Sequence, residues 1–226
     1  MSKQKEDVIG KTTATETAPN TVEEFYFWVE AGKVINPFDF VSVEHVGNTT
    51  TVGMVSSMEL ITDAKSHLAD YVSSEFGKVE SVPQTPRIET TIAKAKVMGN
   101  IAGEGTTEVL MPVGSNKVVR FASEEEVRKG LGLLAIEESK RIPIGIVEMS
   151  NKATIPVYVD ADFLLGPQGA HLNISGITGL ATKTSYIMFL IQLIYQRMKE
   201  KVAIIIFNVK QDDLLHLHEQ PTDITA

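Results

Sequence analysis

Between positions 171 and 197 the chain reads HLNISGITGLATKTSYIMFLIQLIYQR. No other stretch restricts the fold so tightly. Residues 171–175 suit a short apolar strand, 176–182 a glycine-bearing loop, and Lys183-Thr184-Ser185 the opening of a long apolar helix. A strand, a glycine loop and Lys-Thr at a helix start is the arrangement of a phosphate-binding loop. Glycines let successive backbone N–H groups turn inward around an anion, and the helix N-terminus adds partial positive charge. On this reading the backbone of Gly176, Thr178, Gly179, Leu180, Ala181 and Thr182 cradles phosphate oxygens. Lys183 reaches the outer phosphates as a point charge, and Thr184 or Ser185 offers a hydroxyl to Mg²⁺. The spacing departs from the common G-x-x-x-x-G-K-[ST] pattern. Gly176 stands seven residues before Lys183, and Thr182 takes the place of the second glycine. The competing reading is a glycine-rich turn that leads into an ordinary buried helix.

The longer run IPIGIVEMSNKATIPVYVDADFLLGPQGAHLNISGITGLATKTS, residues 142–185, resembles the approach to the motor domain of HerA-type ATPases, relatives of the FtsK DNA translocases. In that family a small β-barrel, the HAS barrel, precedes the P-loop. A proline-bearing strand (here 154–159) and a Gly-His-Leu-like step (here Gly169-Ala170-His171-Leu172) join the two. The resemblance extends over residues 22–210 in organisation and over 142–210 in recognisable motifs. It implies ATP with Mg²⁺ on Thr184, a homohexameric ring, DNA through the ring pore, and a nuclease or other effector at the barrel. Such systems serve DNA end processing or anti-phage defence. One departure concerns the next strand, 202–209: Asn208 stands where the family carries an acid, and Asp212 and Asp213 come later. Phosphoryl transfer rests on positioning and charge stabilisation, commonly with a water-orienting residue and an arginine finger. Neither is identifiable here, so no catalytic residue is assigned, and the chain reads as the N-terminal part of such an ATPase or a truncated relative.

Composition narrows the remaining classes. Net charge is −8, which argues against a surface given over to nonspecific DNA binding, though not against a few basic loops inside a pore. The absence of cysteine removes disulfides, thiolate zinc sites and thiol chemistry. No apolar run approaches the ~20 residues of a membrane span, and the polar N-terminus lacks a signal-peptide core. A cytoplasmic protein without membrane association is expected.

Taken in order, residues 1–21 are Thr-rich, polar and free of aromatics, and read as a disordered tail. Residues 22–160 carry a series of strand patterns: one begins at Phe25-Tyr26-Phe27-Trp28, and others cover 37–44, 50–58, 89–98, 108–113, 118–121, 144–149 and 154–159. Gly47-Asn48 marks a hairpin. Helical spacing takes over at 63–76, with Thr62 or Asp63 as N-cap, and Ser123 to Glu126 forms a capping box. The sum is a small β-barrel domain with helical insertions, followed over 161–226 by part of a RecA-like P-loop α/β unit. Within that unit 202–209 (VAIIIFNV) reads as a strand buried on both faces of a parallel sheet. His216 and His218 fit a solvated segment better than a metal site, His171 fits packing, and His45 and His67 have no partner in sequence. The functional alternative to the ATPase is a non-hydrolysing nucleotide-binding or inert assembly protein, a scaffold that recruits a partner through its barrel.

Overall fold

A computed structural model describes residues 8–80, 82, 87–166, 171–176, 182–198 and 202–207. The chain divides into two compact units, residues 1–170 and 171–226. In the first, β1 (Val8–Thr13), β2 (Glu24–Val29), β3 (Phe40–His45), β4 (Thr49–Thr62), β5 (Glu89–Ile101) and β6 (Val118–Phe121) close into a barrel. The strand order is β1-β2-β5-β4-β3-β6, antiparallel at every seam. Period-two alternation explains the interior: on β2, Phe25, Phe27 and Val29 point inward while Tyr26 and Trp28 point out. Large residues face small ones, with Phe25 opposite Ala95 and Phe27 opposite Ala93. Gly53 lies beneath Phe25, where an added Cβ would stand 2.8 Å from the ring. Register shifts after Val52 and Val55 bend the long β4 around this narrow core. The hairpin expected at Gly47-Asn48 joins β3 to β4, with both residues at positive φ (69° and 56°).

Four expectations need correction. Residues 8–13 belong to the barrel, not to a disordered tail: β1 pairs with β2 on one side and β6 on the other. Its short β-branched run buries Ile9 and Thr12 without needing an aromatic. No strand forms at 108–113. Pro112 lacks an N–H, and polar side chains serve this segment instead of a ladder. Val109 N–H donates to Asn100 Oδ1 at 3.0 Å, His45 Nε2 lies 3.2 Å from the Pro112 carbonyl, and Asn20 donates to the Val113 carbonyl at 2.8 Å. The helix expected over 63–76 is shorter, α1 (His67–Ser73), because Ser66 rather than Thr62 or Asp63 supplies the cap. Finally, β7 (Arg141–Glu148) and β8 (Thr154–Asp160) pair only with each other, so the barrel ends at Phe121 and not near residue 160. The β1–β6 seam leaves no barrel edge for them to join. Ile142, Met149 and Ile155 are fully or almost fully buried. Asp39 ties the hairpin turn to the barrel side, its carboxylate accepting from the N–H of Asn36 at 2.7 Å and of Ser150 at 2.8 Å.

The capping box forms as the sequence predicts and opens α2 (Glu124–Gly130). Val127 is buried, and Gly130 rests against the Val52 side chain. Glu126 accepts from Ser123 N–H at 2.8 Å and from both arms of the Arg120 guanidinium. Burial pushes its carboxyl pKa up, but Arg120, then the Ser123 N–H and hydroxyl, outweigh this and hold it below the ordinary value of 4.5. A carboxylate with a lowered folded pKa stabilises above its unfolded pKa and loses that contribution as pH falls through the folded value. Glu126→Gln should therefore cost about 1 kcal/mol at pH 7 in urea unfolding. The gap should narrow below pH 4.5. A pH-independent difference would mean that the pair's charge contributes nothing.

A short α3 (Ala161–Leu165) follows β8, capped by Asp160. In the second unit α4 (Thr182–Met198) is the one helix among the described residues.

Candidate functional site

The site begins where the second unit begins. Residues 171–176 run without strand pairing to Gly176, and α4 starts at Thr182. The expected loop residues Thr178, Gly179, Leu180 and Ala181 lie outside the described residues, as do Asn208, Asp212, Asp213, His216 and His218. The two described ends of the loop are tied together. Lys183 Nζ donates to the Gly176 carbonyl at 2.9 Å, across the seven-residue step noted in the sequence.

Lys183 is the second residue of a 17-residue helix whose first turn holds no acid. Backbone N–H groups without intrahelical partners make that end of a helix partly positive. A cation placed there is unfavourable by about 0.3–1 kcal/mol unless negative charge is nearby. Among the described residues its ammonium donates to a neutral carbonyl. Helix end and ammonium thus concentrate positive potential beside the loop, and an anion satisfies both. Thr184 is half-buried in the same turn and Ser185 is exposed.

The rest of the unit departs from expectation. Neither 171–176 nor 202–207 is a paired strand. A segment buried on both faces needs neighbours on both sides, and among the described residues 202–207 has none as strands; Ile205 and Phe207 are 80% and 87% exposed. On α4 only Leu190 is buried among the described side chains, so the helix is not the buried core helix that its apolar content suggests. His171 is exposed and not packed.

Two places on the barrel were not legible as sites. A cleft of about 490 Å³ lies between β6 and α2 and is lined by Glu44, Thr50, Arg120, Glu126 and Lys129, among others. Four of its charges pair with one another, Arg120 with Glu126 and Lys129 with Glu125. His45 does have partners: Nδ1 lies 3.3 Å from the Thr51 hydroxyl and 3.4 Å from Asn100 Nδ2. Asn100 also reaches Thr49, so this buried cluster anchors the segment after β5 and performs no visible chemistry. No group of three or more His, Asp or Glu converges on a metal position among the described residues. None of their helices is long and apolar enough to cross a membrane. The chain matches no protein-family model, and a comparison with curated proteins finds no match either.

Proposed function

We propose that the chain binds ATP at the 176–185 loop, as the barrel and first motor segment of a HerA/FtsK-like DNA-translocating ATPase. One observation carries the reading: the Lys183 ammonium, in the N-terminal turn of α4, donates to the Gly176 carbonyl seven residues earlier. Phosphate oxygens are charged acceptors and form stronger bonds to an ammonium than a peptide carbonyl does. Triphosphate displaces the Gly176 carbonyl from Lys183, and loop amides take further oxygens. The donor set suits Mg²⁺ only as an ion that arrives with the nucleotide. Thr184 offers one hydroxyl, and phosphate oxygens and water complete the shell, as Mg²⁺ prefers. The closed six-stranded barrel supports the remainder of the reading, since the resemblance calls for a small barrel ahead of the loop. A hexameric ring, DNA in its pore and an effector on the barrel belong to the proposal.

The test is titration of a fluorescent ATP analogue with Mg²⁺ into the full chain and into Lys183→Ala. The expected result is at least a tenfold loss of affinity, about 1.4 kcal/mol. Superimposed curves, or no binding to either protein, would leave the second reading, an assembly protein without nucleotide. That reading is favoured by the apolar residues 204–207, which stand exposed among the described residues.

A further inference from the structure

Beyond Met54 β3 no longer accompanies β4, and beyond Ile92 β2 no longer accompanies β5. The two strands continue alone as a ribbon, from Leu60 opposite Thr91 to Thr62 opposite Glu89, and α1 sits at its tip. An isolated two-stranded ribbon is marginal in water. This one is reinforced by polar contacts. Arg87 donates to the Ser73 hydroxyl at 3.2 Å and the Ala69 carbonyl at 3.0 Å, and it pairs with Asp63 and Asp70. The helix is therefore held at both ends, by Ser66 and by Arg87, yet none of its residues is buried.

Its apolar side chains face outward. Leu68, Tyr71 and Val72 follow helical spacing and are 69%, 49% and 47% exposed; Phe76, stacked edge-on against Tyr71, is 70% exposed. Leu60 and Ile61, on opposite faces of the ribbon, and Ile88 just before β5 are at least half exposed as well. A concentration of large apolar side chains on a pre-built element marks an interaction surface. Charge decides the partner. Between residues 57 and 91 the chain has six Asp and Glu against three Lys and Arg; Arg87 pairs with Asp63 and Asp70, which leaves four acids beside two lysines. This acidic excess repels nucleic acid phosphates and acidic lipid headgroups, and a second copy would bring the same sign. It complements a basic partner.

We infer that this arm docks an amphipathic helix of another protein, apolar on one face and flanked by Lys and Arg. The inference rests on the partner part of the proposed function, an effector on the barrel, and is independent of the nucleotide, because it draws only on described residues between 57 and 91.

The experiment uses the full chain and two synthetic amphipathic helical peptides with the same leucine face, one rimmed by Lys and the other by Glu. Fluorescence anisotropy is read for wild type and for the triple variant Leu68→Ser, Tyr71→Ser, Val72→Ser. The Lys peptide should bind wild type about tenfold or more tightly than the Glu peptide, weaken with added salt, and lose that affinity on the variant. The variant should melt with wild type, since α1 buries none of its residues. Equal binding of both peptides, or binding that ignores the variant, would overturn the inference, as would no binding at all. So would a wild-type dimer that the variant dissociates, variant-sensitive recruitment to phosphatidylserine vesicles, or early melting of the variant, which would place these side chains in the protein's own packing.

Discussion

Phe25→Ala should lower the unfolding free energy of the barrel by about 4 kcal/mol, the range for a fully buried aromatic truncated to alanine. The ring is 0% exposed and lies 6.3 Å from the Phe27 ring between centroids. Small residues make room for the ring: Ala95 pairs with it across the β2–β5 seam, and Gly53 is within contact distance from β4. None of these can expand into the vacated volume, so the cavity persists and its lining loses dispersion contacts. Urea unfolding followed by Trp28 fluorescence reads the change, since Trp28 stands on the same strand and faces outward. A loss below about 1.5 kcal/mol would mean that the interior is not the packed barrel described.

Gly10→Ala should destabilise by about 3 kcal/mol, the upper range for steric overpacking in a close-fitted core. A Cβ on Gly10 would stand 1.8 Å from the Trp28 carbonyl oxygen and 3.3 Å from the Val29 Cα, and a methyl group has no rotamer by which to relieve a clash with the β2 backbone. The strand must shift away from β2, and the β1–β6 seam that closes the barrel shifts with it. The same substitution in a disordered tail would be neutral. Equal unfolding midpoints for wild type and variant would therefore restore the tail reading of residues 1–21.

That contrast shows where the sequence was legible. Strands with an aromatic or β-branched alternation, such as 24–29 and 118–121, could be read because period two and burial coincide there. The capping box at Ser123 could be read because its four residues satisfy one another locally. β1 escaped because its register depends on Trp28 and Val119, residues remote in sequence, and because a glycine sits where close approach demands one. The segment 108–113 misled for a similar reason: its β-branched pattern is real, but Asn100, His45 and Asn20 claim its backbone groups. In the candidate site, Lys183 at a helix start was legible from local order, and its contact with Gly176 follows the same spacing. The arm was not legible as a surface, since helical spacing at 68–76 reads as a buried face wherever the remainder of a core is assumed.

The central claim is that anion binding is built into the start of α4. Amide chemical shifts of the full, isotope-labelled chain during addition of Mg²⁺-ATP locate the nucleotide directly. The account predicts progressive shifts at Gly176, Gly179 and Lys183 to Ser185, with Phe25, Phe27 and Val52 in the barrel unmoved. Shifts confined to the barrel, or none anywhere at millimolar nucleotide, would contradict it.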